Sequence, residues 1–178
     1  MPAKTIANAL LFQIGWFACL LGGTSWWLLV PVAILVVHFT WISAWRDEGK
    51  LVITVMLAGS AVDSFLLQMR VFQLPGDPEL IPLWWLAAWA LFGTMLNHCL
   101  IWARRTWWLG SAAGAVAGTF AYWVGAQLTD LRFGLDGSMT LVIVALAWAI
   151  LLPMLHGFAR MYRQQQKLRT GQDQQDVR

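Results

Sequence analysis

Apolar residues run in long stretches along the chain, broken by short clusters of Gly, Pro and charged residues. Six stretches, near residues 5–22, 25–45, 51–74, 81–103, 107–128 and 138–159, approach the about 20 apolar residues that a helix needs to cross a ~30 Å hydrocarbon core. They are continuous and not alternating, which predicts helices instead of the ~10-residue alternating strands of a membrane barrel. The breaks have turn chemistry. Gly22-Gly23-Thr24 predicts a tight hairpin, Arg46 to Lys50 a charged turn, and Pro75 to Glu79 a loop that cannot stay helical. Arg104-Arg105 separates the fourth and fifth stretches, and Asp130 to Gly137 forms a loop that Gly134 and Gly137 make flexible. The expectation is an all-α, polytopic membrane bundle of six transmembrane helices in one domain (1–160). A polar cytoplasmic tail (161–178) would begin as a helical extension and then fray.

Composition agrees with that pattern. Hydrophobic residues make up 59% of the 178-residue chain and charged residues 12%, against ~45–50% and ~25% in ordinary soluble domains. Mean hydropathy is +0.60. Disorder, a fibrous chain and a typical cytosolic enzyme are excluded. The net charge of +3 does not point to nucleic acid, because it lies in loops and the tail. Under the six-span reading, Lys4, Arg46, Lys50, Arg104, Arg105, Arg160, Arg163, Lys167, Arg169 and Arg178 fall on one side, with only Arg70 and Arg132 on the other. The positive-inside rule then places both termini in the cytoplasm. The run from Ile6 to Leu21 lacks a small-x-small cleavage site and reads as a retained span, not a secretory signal. Trp26-Trp27, Trp84-Trp85 and Trp107-Trp108 open stretches, while Trp45 and Trp102 close them. Indole rings favour the headgroup level, so these read as interface anchors.

Two features within the stretches carry more information. Gly110, Gly114 and Gly118 recur at four-residue spacing, which allows close helix packing, within the chain or in a homodimer. Pro31 and Pro153 would kink the second and sixth helices. The candidate polar site is Asp63 with Gln13, His38, Asn97 and His98. At about 1.5 Å per residue these residues fall roughly 9–18 Å from the cytoplasmic edge, near one layer. An acid at that depth costs about 2.5–3.5 kcal/mol or more without a partner. Met56, Gly59, Ser60, Asp63, Leu67 and Arg70 share one helical stripe. The bland alternatives are helix–helix hydrogen bonds for Gln13 and Asn97, satisfied core imidazoles for His38 and His98, and an interface position for His156. Tyr122 and Gln127 carry no clear chemistry. Cys19 and Cys99 form no CxxC or Cys/His pattern, so no metal, cofactor or disulfide framework is expected. His-rich boxes, H-E-x-x-H, P-loops, G-x-S-x-G, the D-G-x-x-A-R core of phospholipid synthesis and selectivity-filter sequences are all missing.

The segment from Asn8 to Cys19, with Gln13, Gly15 and Trp16, resembles the opening of a family of small inner-membrane proteins from Gram-negative bacteria, catalogued only as a domain of unknown function. Val62-Asp63-Ser64, Leu96-Asn97-His98 and Gly114 to Tyr122 resemble its third, fourth and fifth spans. The resemblance covers nearly the whole chain except the tail. It implies a bacterial inner-membrane location and, through frequent gene neighbourhood with lipid-modifying enzymes, a connection with membrane lipids. It assigns no functional residues. Three functions follow as expectations. The first is an accessory protein that binds membrane lipids or a membrane-protein partner and has no catalysis of its own. The second is a small transporter coupled through Asp63. The third is a membrane-embedded lipid enzyme with an Asp63/His38 or Asp63/His98 acid–base pair.

Overall fold

The computed structural model describes the backbone of residues 2–176 and the side chains of residues 3–169. Among the described residues there are six α-helices: α1 (Pro2–Gly22), α2 (Leu29–Val37), α3 (Trp45–Gln68), α4 (Leu83–Met95), α5 (Trp107–Leu128) and α6 (Gly137–Asp176). Two short strands, β1 (Phe72–Gln73) and β2 (Arg132–Phe133), pair antiparallel. Three helical segments, Ala3–Gly22, Trp45–Gln68 and Gly137–Arg169, are long and apolar enough to cross a membrane. The apolar helical segments Trp26–Ile42 and Leu83–Met95 are shorter. The most extensive packing pairs α5 with α6, α3 with α4, and α1 with α4.

Several expected boundaries move. The second stretch is not one helix. A 3₁₀ turn (Trp26–Leu28) leads into α2, which ends in a π-helical turn (His38–Ile42) closed by Ser43 N–H donating to the His38 carbonyl at 2.8 Å. Pro31 lies in the first turn of α2, where a proline is tolerated. Residues Arg46 to Lys50 are not a turn. They open α3, whose first turn carries Asp47 and Glu48, the charge sign favoured at a helix N-terminus. The fourth stretch stops being α-helical at Met95 and continues through turns into a 3₁₀ segment (Ile101–Arg104). The tail continues the helix to Asp176, and residues 177–178, where part of the expected fraying falls, lie outside the described residues.

α3 ends in a Schellman cap. Val71 N–H bonds to the Leu66 carbonyl and Arg70 N–H to the Leu67 carbonyl, both at 3.0 Å. Arg70 therefore adopts a left-handed conformation (φ 59°), which costs a Cβ-bearing residue about 1–2 kcal/mol. Its ion pair with Asp77 (2.6 Å) is well exposed and worth little. We expect Arg70→Gly to raise stability by up to about 1 kcal/mol, read as a higher unfolding midpoint in detergent.

The strand pair clasps the α3–α4 loop to the α5–α6 loop, with Phe72 opposite Phe133 and Gln73 opposite Arg132. Gly134 N–H donates to the Val71 carbonyl at 3.0 Å. A Cβ at Gly134 would run into the Arg70 carbonyl, so this glycine serves close approach, not flexibility. Phe72 is fully buried and stacks on Trp85, with centroids 5.4 Å apart.

The tryptophans divide into two groups. Trp26, Trp45, Trp107 and Trp108 are exposed, as interface anchors would be. Trp84 and Trp85 are buried and stacked on each other, so they belong to the core instead. Trp89 and Trp148 are also buried, with centroids 5.1 Å apart and planes within 14°. The glycines make room for these rings. A Cβ at Gly59 of α3 would meet the Trp89 ring, and one at Gly118 of α5 would meet the Trp148 ring. Gly110 and Gly114 lie against Pro153 and against Trp148 and Leu152 of α6, so the glycine face of α5 is covered by α6 of the same chain.

Candidate functional site

Two buried polar centres lie at different heights along α3. Asp63 is 1% exposed. Trp89 Nε1–H of α4 donates to its Oδ2 at 2.6 Å, and Tyr122 O–H of α5 donates to its Oδ1. Each carboxylate oxygen thus holds one donor from a different helix. Gly59 stands one turn before Asp63, so the indole lies across the missing side chain and its N–H reaches the acid. Gly118 plays the same part before Tyr122, with Trp148 as the covering ring. The two stacked indoles seal the centre. No cation pairs with Asp63 among the described residues.

The second centre gathers His38 at the start of the π turn, Glu48 in the first turn of α3, and His98 in the turn after α4. His38 Nε2 and His98 Nε2 lie 3.0 and 3.1 Å from the same Glu48 oxygen, Oε2. The two rings meet edge to face, with centroids 5.3 Å apart and planes at 86°. Behind His38, Asn8 Nδ2 lies 3.4 Å from Nδ1 and also donates to the Thr94 carbonyl and Oγ1 at 3.3 Å. The thiol of Cys99 donates to Asn8 Oδ1 at 3.3 Å. His38, Glu48 and Asn8 are buried, while His98 is 18% exposed. One ligating atom from each of His38, Glu48 and His98 lies within 4.8 Å of the others.

Of the five residues expected in one layer, the structure joins His38 with His98 and leaves the others apart. Asp63 follows Glu48 by fifteen positions, about 22 Å of helix, so no Asp63–His pair forms. Gln13 is exposed on α1. Asn97 is buried; its backbone carbonyl accepts from Arg163 at 3.2 Å, while its side-chain oxygen lacks a partner among the described residues. His156 is 2% exposed, within reach of the charges of Arg104 and Arg160, and both its ring nitrogens lack hydrogen-bond partners among the described residues. Sequence reasoning passed over Glu48, placed in a turn, and Tyr122, given no chemistry.

A third feature is a cavity of about 440 Å³ along the flank of the bundle. It opens where α1 and α5 barely touch, over a floor formed by α4 and Trp148. Phe12, Trp16, Ala88, Trp89, Ala117 and Tyr122 line it, and Val116 and Phe120 form an exposed rim. Along α4 the lining runs from Trp84 to Met95, about 17 Å of helix. Tyr122 and Trp89 face this space while their polar hydrogens point to Asp63.

No curated protein and no solved structure matches the chain. A protein family described as a protein of unknown function (DUF2878) matches residues 5–154. The chain therefore belongs to the DUF2878 family.

Proposed function

We propose that the protein is a multi-pass inner-membrane protein of six helical spans, with both termini cytoplasmic, and that it holds one acyl chain of a membrane phospholipid in the groove between α1 and α5. It acts as a lipid-associated accessory protein in a single membrane domain. The observation that carries this reading is the groove. Its walls are almost wholly apolar, its length of about 17 Å matches half of a ~30 Å hydrocarbon core, and it opens sideways, where a chain could slide in from the bilayer.

The outer faces of the helices favour the same solvent. Ile6, Leu10, Ile14 and Leu21 form an exposed stripe on α1, and Val142, Leu146 and Ile150 form one on α6. Contiguous apolar faces of this kind are rare on soluble monomers. Charge placement supports the orientation. Hydrogen bonds tie Lys4 to Ile42, Arg160 to Arg104 and Arg163 to Asn97, gathering cations at the end of the bundle opposite the strand clasp. Reporter fusions after Gly76 and at the C-terminus test the orientation: a periplasmic C-terminus would overturn it.

The groove is tested by photo-crosslinking in vesicles with a phospholipid carrying a diazirine in its acyl chain. Labelled peptides should concentrate on the groove residues of α4 and α5. Ala88→Trp with Ala117→Trp should fill the groove and reduce labelling there at least tenfold, while leaving labelling of the outer face of α6 unchanged. Uniform labelling of all lipid-facing helices in both proteins would rule the reading out.

A further inference from the structure

We propose that His38, Glu48 and His98 form a binding site for a single divalent transition-metal ion of the zinc type at the cytoplasmic end of the bundle. Three separate elements bring Nε2, Oε2 and Nε2 to one point, with two imidazole–carboxylate separations of 3.0 and 3.1 Å. Ligand atoms around a tetrahedral ion with bonds of about 2.0–2.1 Å stand about 3.3 Å apart, so the two imidazole–carboxylate edges need to lengthen by only a few tenths of an ångström, and the third edge, between the imidazoles, lies within 4.8 Å. Two imidazoles with one carboxylate suit Zn²⁺, Fe²⁺, Co²⁺ or Ni²⁺, and they lack the oxygen-rich shell that Mg²⁺ or Ca²⁺ requires.

Charge and position favour the ion. Glu48 is 7% exposed, and its buried carboxylate needs a counter-charge, which the two imidazoles supply only if protonated and Arg163 supplies from outside the cluster. A divalent ion supplies that charge and still leaves a coordination position open for water or another ligand. The π-helical turn that begins at His38 is a local departure from α-helical geometry, and such turns cluster at functional sites.

The surroundings resemble a second ligand shell. Asn8 holds Nδ1 of His38 from behind. Binding through Nε2 moves the ring proton to Nδ1, and the Asn8 amide then turns its oxygen to the ring, giving up the bonds its Nδ2 donates to Thr94 and the one its Oδ1 accepts from Cys99. His98, the least buried ligand, marks the side from which the ion enters.

The test is a Co²⁺ titration of the tag-free full-length protein in detergent after chelator treatment, followed by visible absorption and by competition with Zn²⁺. One Co²⁺ per chain should bind, with the absorption of a four- or five-coordinate nitrogen/oxygen site, and Zn²⁺ should displace it. Zn²⁺ should also raise the unfolding midpoint. His98→Asn, at the least buried of the three ligands, should keep the fold and weaken binding at least tenfold; Glu48→Gln should do the same. Asn8→Leu should weaken it by about 10–100-fold. Failure of the wild type to bind one ion, or equal binding by wild type and His98→Asn, would overturn the proposal. If Glu48→Gln does not fold, the wild-type stoichiometry and His98→Asn decide. Neither outcome bears on the lipid groove, which none of the three ligands lines.

Discussion

Asp63→Leu should lower the stability of the detergent-solubilised protein by about 2–4 kcal/mol. The substitution removes the acceptor for two buried donors, the Trp89 indole N–H and the Tyr122 hydroxyl. Each buried donor left unsatisfied costs about 1–3 kcal/mol. Apolar surroundings do not raise that figure, because separated helices in a membrane also find partners for their polar groups. Asp63→Asn should cost less, about 1 kcal/mol. Its amide oxygen can accept from Trp89, which only donates, and its amide nitrogen can donate to Tyr122, whose hydroxyl can also accept. Tyr122→Phe should fall between the two. Denaturant titration in mild detergent measures the series, and equal stability of Asp63→Leu and wild type would show that the carboxylate ties nothing together. The same series separates anchoring from transport. An anchoring acid tolerates Asn, whereas a coupling acid loses its activity on that change with the fold intact.

The second large effect is expected at Gly114. A Cβ there runs into the backbone carbonyl of Trp148 and lies 2.9 Å from Leu152 Cβ. A backbone atom cannot rotate away, so α5 and α6 must separate and lose part of the most extensive helix contact in the bundle. Gly114→Ala should cost about 1–3 kcal/mol, and Gly114→Val more. Gly157 on α6 is the control. Nothing lies within 4 Å of a Cβ built there, and alanine is the better helix former by about 1 kcal/mol. Gly157→Ala should therefore leave stability unchanged or raised. A destabilising Gly157→Ala beside a neutral Gly114→Ala would contradict the packing described.

The contrast between those glycines shows what the sequence carries and what it hides. Apolar run length predicted helices in each stretch, and Gly/Pro clusters marked the major loops. Helix starts were less legible, because Arg46 to Lys50 has the composition of a turn while Asp47 and Glu48 also suit a helix N-terminus. Extending the Asp63 stripe backwards through Gly59, Val55 and Val52 reaches Glu48, all of them buried. That periodicity was a usable signal for the missed acid. Extending the Gly110, Gly114, Gly118 face forward by four residues reaches Tyr122 in the same way. The splitting of one polar layer into two centres was not legible. It depends on helix endings at Met95 and Ile42, where turns carry His98 and His38 back toward the start of α3. Trp84 and Trp85 could not be told from Trp107 and Trp108 by composition, since an indole suits both a core and an interface.

The most direct test of the lipid groove is native mass spectrometry of the protein released from a mild detergent. The wild type should carry one phospholipid per chain that survives mild activation. The Ala88→Trp/Ala117→Trp double variant, folded by its unfolding midpoint, should appear without it. A wild type with no retained phospholipid, or a double variant that keeps it equally well, would contradict the proposal that the groove between α1 and α5 holds an acyl chain.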